Sequence, residues 1–408
     1  MKDSLVLEGG LFDGEEYHER GRVTIDSKSG TILEAGSVSE IGSSSSERLE
    51  SEVIKAEGST ILPGLTDAHV HFFGSKEYSL LGWVTPSETI AALRSVADLR
   101  KLLLAGFTAV RDMGSKCGVA LSQAEKEGVI ESPRIVSCSR SLAQTGGDDD
   151  PRIFPLDIGV RLSYSYFADG PWECRKAVRK VVRDGGEVVK VYSSAGFPQN
   201  GKVKTQLTVE ELRAIVDEAH KAQLKVAAHA AGEDALENVI EAGVDCIDHG
   251  TGLTREIAAT VAKKGIYYVP TLSGMEPFFT DQTAWHITSE TADFIRRHMS
   301  EEMKIAREAG VKVVNGSDYV GATVTPHGQN YRELVLTSQG GLGNKEALIS
   351  ATSRGAECLG IEKSGRLRDG FRGDVVIVKG NPLRNIETLA PQNVTQVIKA
   401  GKIYTAPV

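Results

Sequence analysis

A chain of 408 residues with 40% hydrophobic and 25% charged residues has the make-up of a soluble globular protein, long enough for two or three domains or for one barrel with an added layer. Its net charge of −8 and the lack of a basic cluster argue against a nucleic-acid partner. No run approaches the roughly 20 apolar residues of a membrane span, and the opening MKDSLVLEGG lacks the basic head and apolar run of a secretory signal. The five cysteines (117, 138, 174, 246 and 358) are scattered without a CxxC pair, so a cytoplasmic protein with reduced, mostly buried thiols is expected.

In chain order, the first 58 residues read as short β runs broken by Gly and Ser: SLVLEGGLFDG, GRVTIDSKSGTILEAG and SEVIKAEGSTIL. GSSSSERLESE (42–52) reads as an exposed loop. The last 45 or so residues are β-rich again, in GDVVIVKG and VTQVIKAGKIYTA. The two ends are therefore expected to build one small β-sandwich domain, residues 1–58 with 362–408, around a middle domain of residues 59–361.

The middle alternates. GLTDAHVHFF, TAVRDMG, PRIVSCS, EVVKVYS, LKVAAHA, DCIDHG, IYYVPTL and VKVVNGSD are eight apolar, β-branched runs. Helical patterns lie between most of them, at 87–104, 117–128, 172–184, 208–223, 233–242, 254–264 and 289–309, with another at 344–359. Thr208 and Glu211 have capping-box spacing, and Leu212, Ile215, Val216 and Ala219 mark an apolar face behind them. Eight buried strands alternating with helices predict a (β/α)8 barrel, whose chemistry sits at the C-terminal ends of the strands.

Polar residues interrupt the strands at those ends. His69 and His71 end strand 1, and their period-two spacing points them the same way. His229 ends strand 5, His249 strand 6 and Asp318 strand 8. Singly, each imidazole reads as well as a hydrogen-bonded core histidine, and Asp318 as a cap or turn residue. Together, four imidazoles and a carboxylate at equivalent barrel positions suit zinc, or Mn, Fe, Co or Ni. Lys190 stands inside the apolar strand 4. It is either paired with a carboxylate such as Asp112 or Asp318, or carries a carbamate formed with CO2, whose two oxygens would bridge two cations roughly 3.5–4 Å apart.

DAHVHFF, VVKVYSSAG, VAAHAAG, CIDHGTG and NGSD, with the opening LPGLTDAHVH and the closing GRLRDGFRGDVVIVKGNPL, together resemble the amidohydrolase superfamily. The resemblance spans nearly the whole chain. It is nearest to the prolidase-like and imidazolonepropionase-like branch, which includes the ochratoxin-type amidases. It implies that His69 and His71 bind the more buried metal with Asp318, that His229 and His249 bind a second, and that a carbamate on Lys190 bridges both. It further implies that a hydroxide bridging the metals attacks the substrate while Asp318 takes its proton. Lys190 argues against imidazolonepropionase itself, a single-metal enzyme. Asp67 and Asp248 are possible partners of the ligands, or surface and turn residues.

Tyr192 shares the inward face of strand 4 with Lys190. The resemblance makes it a binder of a substrate carboxylate; a core tyrosine is the plain alternative. His327, in TPHGQNYREL after strand 8, resembles an element that faces the substrate, though a loop histidine without function reads equally well. One departure stands out: in QTGGDDDPR (144–152) Asp148 occupies the place where relatives often carry a substrate-contacting histidine. That puts recognition of a substrate carboxylate there in doubt unless Arg152 compensates; an exposed acidic turn is the alternative. His18, His220, His286 and His298 have no supporting neighbours and read as surface or loop residues. Loops 140–171 and 272–288 are long and aromatic, and are expected to be lids or a subunit interface.

The sequence thus predicts a metal-dependent hydrolase cleaving the amide bond of an Xaa-Pro-like dipeptide or an N-acyl amino acid. It acts on a small molecule, touches neither nucleic acid nor membrane, and is expected to form a homo-oligomer. A lactone, carboxyl ester or phosphotriester is the alternative substrate, since the same nucleophile attacks each. A deaminase-like attack on a C=N carbon and a non-catalytic scaffold are more distant alternatives.

Overall fold

The computed structural model describes residues 2–41 and 51–405. Residues 42–50 of the expected exposed loop lie outside the described residues, and residues 51 and 52 open a strand. The fold is a (β/α)8 barrel with a small β-sandwich built by both termini. Seven sandwich strands are hydrogen-bonded in the order Lys402–Tyr404, Val394–Lys399, Val375–Lys379, Ser51–Pro63, Ser4–Phe12, Tyr17–Asp26 and Ile32–Ser37. The last of these meets the C-terminal segment again through Ile32 N to Phe371 O (2.8 Å) and Gly373 N to Gly30 O (2.7 Å). Alternate residues, among them Leu5, Leu7, Val23, Ile25, Ile61, Val375 and Ile377, form its own apolar core.

Barrel strands 1 to 8 are Leu65–Val70, Phe107–Asp112, Arg134–Ser137, Val189–Tyr192, Val226–Ala230, Cys246–His249, Tyr267–Val269 and Lys312–Val313. Each is parallel to a neighbour, and nearly every residue in them is buried, which is why they read as unbroken apolar runs. Glu187 N donates to Ser137 O (2.8 Å) across strands 3 and 4. Closure is between strand 1 and the segment after strand 8: Ala68 N to Asn315 O (2.8 Å), Asp318 N to His69 O (2.8 Å) and His71 N to Tyr319 O (3.0 Å). These bonds bring the first and last chemistry-bearing strand ends together.

The expected helices form within a few residues of their predicted bounds, as Glu88–Leu104, Gly118–Lys126, Pro171–Asp184, Val209–Lys221, Glu233–Ala242 and Arg255–Lys264. Thr208 and Glu211 make the reciprocal capping bonds. Four expectations need correction. The loop 140–171 holds two short strands, Ser141–Ala143 and Ser165–Phe167, and a helix, Leu156–Leu162. The helix expected at 344–359 is split at Thr352, whose backbone is not helical, into Asn344–Ala351 and Ser353–Leu359. The segment 272–288 opens as a helix, Leu272–Thr280, because the Glu333 carboxylate accepts from the free N–H groups of Leu272 and Ser273 (3.1 and 2.7 Å) and so caps its first turn. The segment 289–309 is broken by one π-helical turn, His298–Glu302. There His298 is fully buried, not a surface residue, bonded to Glu302 Oε2 and Pro270 O (2.7 and 2.8 Å). The five cysteines are free and buried. Among the described residues, no helix is long and apolar enough to cross a membrane.

Candidate metal centre

His69 and His71 leave strand 1 on one face, and the chain returns beside them at Asp318. Both Nε2 atoms lie 3.3 Å from the same carboxylate oxygen, Asp318 Oδ1. Ligand atoms of the three residues all fall within 4.8 Å of one another, a spacing that suits one cation. His71 donates through Nδ1 to Gly114 O (3.0 Å), which leaves its Nε2 as the ligand atom. Burial alone would raise Asp318, but the imidazoles of His69, His71 and His249 hold its carboxyl far below the usual range.

This corner is braced from behind. Asp67, on the same face of strand 1 as His69 and His71, is fully buried. It accepts from His69 N (3.0 Å), Ser317 N (3.0 Å), Ser317 Oγ (2.6 Å) and Asn330 Nδ2 (2.8 Å). Burial pushes its carboxyl up to about 6. Gly316 permits the close approach: a Cβ there would lie 2.3 Å from Val269 Cγ1 and 3.0 Å from His69 Cβ.

His229 and His249 approach from strands 5 and 6, ring centroids 4.4 Å apart, and His249 lies 5.1 Å from His69. His249 Nδ1 bonds Thr271 Oγ1 (2.7 Å), so its Nε2 is left as ligand atom. Among the described residues, His229 has one hydrogen-bond contact, a long one from Nε2 to Ala195 O at 3.4 Å. Burial holds His69 and His229 down to about 4 and His249 well below the histidine range, with the nearby positive charge of Lys190 acting the same way on all three. These are neutral imidazoles, the form that binds metal. Several strand ends leave the sheet in the left-handed region: Ser139, His249, Thr271 and Asp318 have φ of 62°, 63°, 53° and 58°. Non-glycine residues rarely adopt it, and the candidate ligands His249 and Asp318 are two of the nine that do among the described residues.

Lys190 is fully buried and paired, but with neither Asp112 nor Asp318. Its Nζ contacts Asp248 Oδ2. Asp112 is taken up by Ser115 and Ser137 (2.5 and 2.8 Å). Burial would raise Asp248, yet Lys190, His69 and Arg111 hold it well below the usual range. Arg111 Nη2 reaches its other oxygen at 3.2 Å, and His69 Nδ1, without a hydrogen bond of its own, lies 3.5 Å from Oδ2. Arg111 was passed over in sequence, although it interrupts TAVRDMG just as Lys190 interrupts EVVKVYS.

His69, His71, His229, His249 and Asp318 all face one cavity of about 260 Å³, with Tyr192 and Asp148 on its wall. Lys190 lies outside that wall. Tyr192 is buried, its ring 5.2 Å from that of His229, and burial keeps its hydroxyl protonated. Asp148 is exposed and accepts from Gly196 N (2.9 Å). His327 and Arg152 do not reach the cavity. His327 is buried behind strand 1 and donates through Nε2 to His71 O (3.0 Å); Arg152 is exposed. Much of the remaining wall is aromatic, beside Asp149, Met275 and Val320. Phe73 packs against Trp83 and Tyr164 (5.2 and 4.6 Å), and Tyr78 and Phe278 meet Trp285 (5.5 and 5.2 Å). Tyr164 is pinned to the barrel mouth by Asp149, which accepts from its hydroxyl at 2.8 Å. Both long loops thus contribute to this wall.

A model of the Amidohydrolase family matches residues 60–404. Ochratoxinase of Aspergillus niger is 31% identical over 377 residues, covering 85% of this chain and 76% of the relative. Its crystal structure superposes with a TM-score of 0.90 at 26% identity, over 100% of this chain and 97% of that one. A prolidase solved with N-methylphosphonate-L-proline gives 0.86, and a Xaa-Pro dipeptidase with bound methionine 0.84, each at 30% identity over 99% of this chain and 100% of the other.

Proposed function

This chain belongs to the amidohydrolase family, in the branch of ochratoxinase and the prolidase-like enzymes, and from that premise we propose that it cleaves the amide bond of a dipeptide or an N-acyl amino acid at a two-metal centre. That it is a hydrolase of C–N bonds follows from the family and its relatives. The family generally uses divalent metals, and the convergence of His69 and His71 on one oxygen of Asp318 is the observation that carries the reading here.

In this reading His69, His71 and Asp318 hold one ion and His229 and His249 a second, zinc being the best match to the donors. Lys190, on leaving Asp248 and giving up a proton, could take up CO2 as a carbamate, which would supply a further anionic ligand. The two ions would supply an acidified water at neutral pH and a positive pole for the scissile carbonyl oxygen. Asp318 is the base. Its carboxylate, kept ionised by the surrounding imidazoles, takes the proton of the attacking water and passes it to the leaving nitrogen as the C–N bond breaks. Tyr192, buried and protonated on the cavity wall, donates a hydrogen bond to the substrate's carboxylate or developing oxyanion.

The aromatic wall suits an apolar or aromatic acyl group or side chain. Among the described residues facing the cavity there is no Arg or Lys. A substrate carboxylate therefore depends on Tyr192 and on the ions, with Asp148 acting against it. The test is a hydrolysis panel on zinc- or manganese-loaded protein: Xaa-Pro dipeptides, N-acyl amino acids with aliphatic and aromatic acyl groups, lactones, aryl esters and phosphotriesters. Preferential release of free amino acid from an aromatic N-acyl substrate supports the reading. Preference for lactone or phosphotriester keeps the metal centre and removes the amide.

A further inference from the structure

The far end of the barrel carries a second group of reactive side chains. Arg111 is buried in strand 2, and besides Asp248 its guanidinium donates to two sulfurs, Cys246 Sγ at 3.3 Å and Cys358 Sγ at 3.7 Å. Cys246 opens strand 6 and Cys358 lies in the helix Ser353–Leu359. The two thiols thus share one guanidinium. Cys358 also forms part of the wall of a separate cavity of about 440 Å³, which lies at the N-terminal ends of strands 3, 4 and 5. That wall is basic: Lys126, Arg134, Lys225 and Arg372 outnumber Glu187 and Glu362.

The two sulfurs differ in a way that suits paired redox chemistry. The neighbouring Cys246 thiol, with Arg111 and Lys225 close by, holds the Cys358 thiol down to about 7 against burial. Burial pushes Cys246 well above the usual thiol range. The sulfur held lower borders the cavity, and the one pushed up does not.

We propose that Cys358 and Cys246 form an oxidation-sensitive dithiol, reached from this cavity by hydrogen peroxide and coupled to the metal centre through Arg111 and Asp248. The Cys358 thiolate attacks one peroxide oxygen, the O–O bond breaks, and the departing hydroxide takes a proton to leave as water, giving a sulfenic acid. The Cys246 sulfur then attacks the Cys358 sulfur, the S–O bond breaks, and a second water carries away the Cys246 proton. The two sulfurs together lose two electrons and the peroxide gains them. The cross-link alters two of the four acceptors that aim Arg111, leaving Ala68 O at 2.7 Å and Asp248. Arg111 in turn holds the carboxylate that contacts Lys190 and lies 3.5 Å from His69.

The test treats metal-loaded full-length protein with hydrogen peroxide and follows thiols, metal content and turnover together. The expected result is a Cys246–Cys358 cross-link in non-reducing peptide maps ahead of oxidation at Cys117, Cys138 or Cys174. It is accompanied by a loss of about tenfold to a hundredfold in metal affinity or rate, as for other residues that orient metal ligands, reversed by a thiol reductant. Cys358→Ser keeps its activity through the treatment. Cys246→Ser stops at the sulfenic acid, which dimedone traps on Cys358. Oxidation of the other cysteines first, or a cross-link that changes neither metal content nor rate, overturns the proposal. Only the turnover readout rests on the proposed function. A cross-link that lowers metal content in protein without activity on any amide tested supports the dithiol and counts against the amidase reading alone.

Discussion

The two halves of the metal centre are held by different means. At strands 1 and 8, two imidazoles meet one carboxylate oxygen, backbone hydrogen bonds close the barrel between them, and Asp67 ties both strands to Asn330. At strands 4 to 6, His249 is fixed by Thr271 but His229 has one long contact, and Lys190 is engaged with Asp248. The first half is a preformed ligand set. In the proposed two-metal reading the second would be complete only once Lys190 changed partner, because a buried ammonium seated on a carboxylate is not a ligand. Charge governs the contrast. Asp318 faces His69 and His249, which burial holds low, and His71, which Asp318 raises against burial, whereas Asp248 faces two strong cations, Lys190 and Arg111.

The sharpest way to break this comparison is Asp318→Asn, which removes the negative oxygen of the preformed half. A loss of about 10² to 10⁴ in kcat is expected, the usual worth of a positioned proton-transfer group, with an unchanged circular dichroism spectrum. Near-normal turnover would remove Asp318 as the base. Next is Asp248→Asn, which leaves Lys190 and Arg111 buried without a counter-charge. Breaking such a pair costs about 3–5 kcal/mol, so denaturant unfolding should shift to a much lower midpoint. An unchanged midpoint would mean that Lys190 is already charge-neutral in the native protein.

Asp67→Asn tests the brace rather than the ligands. Metal affinity or rate should fall by about tenfold to a hundredfold, read by competition with a chelator, and the loss should appear at the strand 1 and 8 ion first. Equal weakening of both ions would show that the halves do not behave separately. The smallest effect belongs to Asp148→Asn. An exposed charge acts weakly through water, so a drop of a few-fold in KM is expected for substrates bearing a carboxylate, with kcat unchanged. A rise in KM would reverse the sign assigned to Asp148.

The barrel was readable because its strands are buried on both faces, so apolar runs such as EVVKVYS and DCIDHG stand out, and capping signals such as Thr208 and Glu211 fix where the helices begin. The candidate ligands were readable because polar residues are rare in such strands. Arg111 carried the same signal and went unread. The partner of Lys190 lay beyond the sequence: the fold alone decides which of several buried carboxylates comes within reach across the barrel. Period-two spacing placed Asp67 on the face of His69 and His71, but its bonds to Ser317 and Asn330 depend on closure. The helix at Leu272–Thr280 went unread because its capping group, Glu333, lies 60 residues downstream.

The central claim is that Lys190 completes a second metal position. Metal content per chain, measured on zinc-loaded wild-type protein and on Lys190→Ala prepared alike with bicarbonate present, tests it most directly. The account predicts about two ions per chain in the wild type and one or fewer in the variant, with part of the loss recovered when a short carboxylic acid stands in for the carbamate. One ion per chain in the wild type, or two in a Lys190→Ala protein that turns over at the full rate, would contradict it.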